Sequence, residues 1–417
     1  MPGGRPATFG VVRIDYRGAM PFDIASVRGL FPSLGDGWIH LDSQNGTQIP
    51  DAVGSAVARG IRSFPVPGGG LSRQSVEAAA MTAQARSAIA DLLDADPDCV
   101  VFGPSRAAVV CALVDALPVT RWIGDGIVLS RLDDEENIVP WLRGAARHGS
   151  VVRWAEVDVE QGTLPPWQYS NLVTDRTTVV AVTLASSTTG AITDIGQIAG
   201  HAHAAGALLV VDATNAAPFV PLTMSELGAD VVIVSAERWG GPRMAAMVFS
   251  SRAVMDSLTN VSLNPHAVGP ARLEVAAAPA ALLSGVVASV DLLAGLETNA
   301  AGTRRRRLTM SMDATYEYLQ RLTFYLVSSL DSLGHVHVIG VDTHRVPLVS
   351  FVVRGVAASK VCGRLNDNGI SAAFDVPSRA LDAIGVSDAG GAVSVGLGMY
   401  STPYEVDQLV RVLGSFG

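Results

Sequence analysis

Short, almost unbroken apolar runs alternate along the chain with longer stretches in which apolar residues recur at three- and four-residue spacing. The runs Gly126 to Ser130, Val151 to Val157, Thr178 to Leu184, Ala207 to Asp212, Val231 to Ser235 and Ala245 to Phe249 have strand length. Between them lie helix-like stretches such as Ile195 to Ala205, closed by Gly206, and an Ala- and Gln-rich helical pattern over Ser75 to Leu93 comes before them. Apolar strands separated by helices predict a mainly parallel sheet covered on both faces, with ligands at the carboxyl ends of the strands. Asp212 and Ser235 both fall at such ends.

Beyond about residue 295 the pattern changes. It predicts a long helix from Arg304 to Leu333, strands at His335 to Ile339 and Val346 to Val353, a helix at Ala357 to Asn368, a strand at Ala392 to Leu397 and a closing helix from Tyr404. The division expected is a tail over 1–19, an N-terminal segment over 20–45 that packs with the smaller unit, a large α/β domain over 46–295 and a small α+β domain over 296–417. The first 20 residues mix Gly, Pro, Arg and Asp without the apolar core of a signal peptide, and whether translation starts at Met1 or Met20 stays open.

The chain has 417 residues, 48% of them hydrophobic and 17% charged, which is ample for a large core. A net charge of -9 argues against binding nucleic acid or an anionic membrane, since both need a concentrated basic face. The run Arg304 to Arg307 is the exception, read as a solvated or partner-facing helix end. Cys99, Cys111 and Cys362 are widely spaced and fit small reduced thiols of a cytoplasmic protein rather than a disulfide frame. His201 and His203 do not share a helix face; His335 and His337 share a strand face but lack a third ligand, so no metal is expected.

Six segments occur in an order and spacing that resemble class V aminotransferases of the cysteine-desulfurase-like group. They are LDSQNGTQIP at 41–50, SRLDDEENIVPW at 130–141, ASSTTGAITDI at 185–195, VVDATNAAPFVPL at 210–222, ELGADVVIVSAERWGGP at 226–242 and VGLGMYSTPYEVDQLV at 395–410. The resemblance spans nearly everything from residue 22 onward. It implies a fold-type I pyridoxal-phosphate transferase with a mainly parallel seven-stranded sheet, and a homodimer whose cofactor lies at the carboxyl edge of the sheet. Such a site needs an amine to form an imine, a carboxylate to hold the pyridine nitrogen protonated, and donors around a dianionic phosphate.

By that resemblance, Asp212 stands where the pyridinium partner lies and Ser235 where a hydroxyl helps hold the phosphate. Ser187 stands for an asparagine near the ring, Asn215 for the residue that meets the ring hydroxyl, and Ser105 lies in the phosphate-loop segment. The family's threonine falls on Ala107, its stacking histidine on Asp134, the partner-crossing Gly-Thr on Ala276 and Ala277, and the arginine that clamps a substrate carboxylate on Ser394. The family's Ser-Ala-His-Lys reads Ser235, Ala236, Glu237, Arg238 here. A guanidinium, protonated to a pH above about 12, cannot condense with an aldehyde. Of 30 basic residues, Lys360 is the single lysine, in the helix of the small domain and read as solvated.

These readings predict no cofactor, although pyridoxal phosphate is ancestral, and an ion-pair network filling the old pocket with Asp212 as counter-ion of Arg238. Three classes remain open: a pseudoenzyme or ligand-binding homodimer using Asp134, Ser187, Asp212, Asn215, Glu237 and Arg238; an enzyme using the pocket without a Schiff base, with Asp134 or Glu237 as base; and a weak aminotransferase or lyase that holds pyridoxal or pyridoxamine phosphate non-covalently. The segment 370–385 carries no cysteine of the kind a desulfurase needs.

Overall fold

The computed structural model describes residues 22–417 except 67, 123–125, 341–343 and 375–378, so the tail expected over 1–19 lies outside the described residues. Seven strands form the large sheet: β1 (Val100–Gly103), β2 (Gly126–Ser130), β3 (Val151–Ala155), β4 (Thr177–Thr183), β5 (Leu208–Asp212), β6 (Val231–Ser235) and β7 (Ala245–Phe249). Their order is β1-β7-β6-β5-β4-β2-β3. Only β7 runs antiparallel to its two neighbours. Strands β2, β6 and β7 are buried throughout, which is why they read as continuous apolar runs rather than alternating ones. The expected strands are recovered with ends shifted by at most two residues, whereas the four-residue β1 lies outside every run recognised from the sequence.

The longer helices are α1 (Asp51–Ser63), α2 (Arg73–Leu93), α3 (Arg106–Ala116), α4 (Glu135–His148), α5 (Ile195–Ala204), α6 (Ala280–Leu293), α7 (Arg304–Asp331), α8 (Ala358–Asn366) and α9 (Pro403–Leu413). Local chemistry sets their limits. The Ser72 hydroxyl accepts from Ser75 N at the start of α2, and Asp94 ends that helix in the left-handed region at φ 53°. Helices α1 and α6 approach on small residues: a Cβ at Gly60 would lie 2.7 Å from Ala281 Cα, and one at Gly285 would lie 2.5 Å from Val57 Cγ2. Among the described residues, no helix is long and apolar enough to cross a membrane.

The second sheet contains β8 (Val336–Val338), β9 (Leu348–Val353), β10 (Ala373–Phe374) and β11 (Val393–Gly396) in the order β10-β11-β9-β8. Ile39 and His40 pair with Ile370 and Ser371, which joins the N-terminal segment to this unit. One apolar cluster runs from Leu92 and Val211 of the large unit to Leu326, Val393 and Leu409 of the small one.

The basic run, expected as a solvated or partner-facing helix end, is exposed at Arg306 but tied to the rest of the chain at Arg304 and Arg305. Arg304 pairs with Asp91 at 3.2 Å and Asp291 at 2.9 Å, and Arg305 donates to the Leu92 carbonyl at 2.9 Å and to Thr223 Oγ1 at 2.9 Å. These contacts fasten α7 to α2, because arginine stems lie along the apolar surface while the guanidinium reaches the carbonyls left open at a helix end. Of Cys99 and Cys111, both expected to be small buried hydrophobes, Cys99 is buried and Cys111 is only half-buried; Cys362 is buried as well.

Candidate functional site

The carboxyl ends of β1, β2, β4, β5 and β6 all lie on one edge of the sheet, and each delivers a polar residue there. Ser105 and Arg106 follow β1, Asp134 follows β2, Ser187 follows β4, Asp212 ends β5, and Ser235 to Arg238 end β6 and form the turn after it.

Arg106 is the centre of the cluster. It is 5% exposed; its Nη1 donates to Asp134 Oδ2 at 2.6 Å and to Asp212 Oδ2 at 3.0 Å, and its Nε donates to Glu136 Oε2 at 2.8 Å. Burial alone would favour loss of its proton, but Asp134, Asp212 and Glu136 reverse that and push its pKa further above the usual arginine range. Asp134 shows the complementary balance. Burial pulls its pKa up, yet the Arg106 guanidinium, the Ser187 hydroxyl and the charge of Arg238 hold it below the ordinary carboxylate value. Ser187 Oγ donates to Asp134 Oδ1, and Asp212 Oδ1 accepts from Thr214 N at 3.0 Å.

The expected ion-pair network is thus present, but with a different cation. Asp212 is the counter-ion of Arg106, not of Arg238: Arg106, the first residue of α3, reaches both Asp134 after β2 and Asp212 at the end of β5. Among the described residues no carboxylate pairs with Arg238, and its Nε and Nη1 are buried without a hydrogen-bond partner. Burial, and next the neighbouring Arg106, lower its pKa, against the pull of Asp134, Glu237 and Asp212.

The other site candidates are also committed to local bonds. Ser235 Oγ donates to Glu237 Oε2 at 2.6 Å, Asn215 Nδ2 donates to the Ala185 carbonyl at 3.2 Å, and Ser105 Oγ caps α3 by accepting from Ala108 N at 3.2 Å. Ser394 Oγ meets Ser350 Oγ at 2.6 Å. Ala107 is half-buried on α3, Ala276 and Ala277 are exposed before α6, and Lys360 is exposed on α8, outside the cluster. His335 Nε2 lies 3.0 Å from the Leu413 carbonyl oxygen, and His337 meets Arg354 instead.

Residues that motif reading missed complete the site. Gln44, on the turn after the entry strand, donates from Nε2 to the Ser394 carbonyl at 3.0 Å while its Oε1 is buried without a partner. Asp133 is sealed against Tyr169 and Asn137; burial pushes its carboxyl up to about 7, despite the hydrogen bonds from Asn137 and Ser130. Beside the cluster, Arg379 pairs with Glu135 at 2.9 Å and stands over Trp154 with Arg131. The signal that could have found Arg106 was its place at the first turn of a helix directly after a strand.

A family model described as Aminotransferase class-V matches residues 39–409. Over 95% of the chain and the whole of the relative, it is 48% identical to the uncharacterized protein MT3887 of Mycobacterium tuberculosis (strain CDC 1551 / Oshkosh). It is 31% identical to the aminotransferase-like protein FGM3 of Gibberella zeae, over 94% of this chain and 98% of that one. The solved Escherichia coli cysteine desulfurase CsdA shares the fold at a TM-score of 0.82 and 21% identity, covering 95% of this chain and 99% of that one. With the sheet edge, the ordered segments and these matches together, the chain belongs to the class V aminotransferase, cysteine-desulfurase-like family.

Proposed function

We propose that this protein is a class V aminotransferase homologue that has left Schiff-base chemistry and serves as a cytoplasmic, ligand-binding homodimer built on that scaffold. The observation that carries the reading is the guanidinium of Arg106 at 3.0 Å from Asp212 and 2.6 Å from Asp134. A carboxylate at the end of β5 would hold a protonated pyridine nitrogen, but it already holds a cation supplied by the chain itself.

The remaining donors do not fit pyridoxal phosphate either. The lysine position is a guanidinium, and the one lysine is exposed on α8. The Ser235 hydroxyl is spent on Glu237, whose charge opposes a dianionic phosphate by Coulomb repulsion. Asp134 is a poor general base because Arg106 and the Ser187 hydroxyl stabilise its carboxylate and hold its pKa below the ordinary value, which leaves it little affinity for a proton. What the site offers is a preorganised set of charges and amides for binding.

The test is an absorbance titration of the purified full-length protein with pyridoxal phosphate, followed by borohydride reduction and mass mapping. No stable Schiff-base band is expected, and Arg238→Lys does not create one, because Arg106 still holds Asp212. A band in the wild-type protein that borohydride fixes to a protein amine would overturn the reading. Light scattering at micromolar concentration tests the homodimer, and a monomer mass would remove that part.

A further inference from the structure

Next to the Arg106 network, Ser43, Gln44, Asn215, Phe219, Arg238 and Pro347 line a small, half-open niche. The centre of a water molecule can move through about 20 Å³ of it. That exceeds the ~10–15 Å³ that one water needs, so the niche takes a compact group but not a ring bearing a phosphate. Two of the lining residues carry unmatched polar atoms. Arg238 brings N–H donors on a cation with which no carboxylate pairs among the described residues, and Gln44 brings an acceptor.

The orientation of the Gln44 amide is fixed, because its Nε2 donates to the Ser394 carbonyl and a flip would set two oxygens against each other. Gly396 makes room for that oxygen: a Cβ there would lie 2.4 Å from Oε1. A bare halide would meet this acceptor with repulsion. Water would satisfy both hydrogen-bonding needs but would leave the half-buried Arg238 charge without a contacting anion.

We propose that Arg238, Gln44 and Asn215 form a binding niche for a small oxyanion that carries its own hydroxyl, either bicarbonate or the head group of an α-hydroxy acid. The oxyanion accepts from Arg238, and its hydroxyl donates to Gln44 Oε1. This assignment deepens the reading of the pocket as a ligand site and rests on it.

The experiment is a melting and calorimetric titration of the full-length protein at fixed pH and ionic strength with sodium glycolate, bicarbonate, acetate or chloride. A response to glycolate or bicarbonate supports the proposal, and the two arms tell a hydroxy acid from the inorganic ion. Acetate, lacking the hydroxyl, is expected to bind about tenfold more weakly, the worth of one hydrogen bond. Arg238→Met should abolish all binding. Gln44→Met, as the second variant, should reduce glycolate to the level of acetate. Equal responses to chloride and glycolate, a response that survives Arg238→Met, or no response to any anion would overturn it; the last outcome leaves only trapped water. The pyridoxal phosphate titration is a separate readout, so failure here does not mimic failure of the proposed function.

Discussion

Replacing Arg106 by leucine keeps the apolar stem and removes the charge at the centre of the site. Three carboxylates lose their shared cation, but they do not count equally. Asp212 is 1% exposed and Asp134 18%, so both are left unpaired in the interior, whereas Glu136 is 52% exposed and turns to water. Breaking a buried pair from one side costs about 3–5 kcal/mol, and that is the loss expected for Arg106→Leu in urea unfolding followed by tryptophan fluorescence. The loss should be larger at pH 8 than at pH 5, because the orphaned carboxylates can shed their charge only by taking protons. Adding Asp134→Asn and Asp212→Asn to Arg106→Leu removes the stranded charges and should recover most of the loss through their coupling. A single variant that loses less than about 1 kcal/mol, or a triple variant no better than the single one, would refute the account of Arg106 as the organising cation.

Asp133 makes a pH prediction. Its carboxyl, raised from 3.8 to about 7, holds a proton in the folded state that the unfolded chain has lost, so its stabilisation is complete below about pH 4 and disappears as pH rises through 7. Asp133→Asn keeps the acceptor for Asn137 and should therefore melt higher than wild type above pH 7, by an amount on the order of 1–4 kcal/mol, with the gap closing toward pH 4. Arg238→Met removes a half-buried cation whose Nε and Nη1 have no hydrogen-bond partner and should raise the stability read from urea unfolding by about 1 kcal/mol; a fall of that size would show that the carboxylates around it matter more than its desolvation. Arg305→Ala forfeits the bonds to Leu92 and Thr223 and should cost about 1–2 kcal/mol by the same assay.

Much of the fold was legible because parallel strands buried on both faces leave an unmistakable apolar trace, and Val231 to Ser235 could be placed to the residue. The edge strand Val100–Gly103 was not, since four residues give no periodicity to read. Asp212, Asp134, Ser187 and Ser235 could be named from their motifs, and the structure brings them to one edge. Which charges pair was not legible, because pairing depends on where α3 begins relative to β5, a distance that no local pattern encodes. Arg238 was conspicuous through the residue it replaces, whereas Arg106 replaces nothing recognisable and so passed as part of a loop. Gln44 and Asp133 escaped for a related reason: their importance lies in one buried oxygen without a partner, which appears only when the surroundings are known.

The exposed position of Lys360 on α8 has a practical consequence. A chain with a single lysine offers amine-reactive reagents that side chain and the terminal amine, so an activated ester carrying a fluorophore labels the small unit at a known place, about as far from chemical ambiguity as a native protein permits. The same scarcity sharpens the borohydride experiment, since the single lysine to which a retained cofactor mass could map, Lys360, lies outside the sheet edge where Arg106 sits.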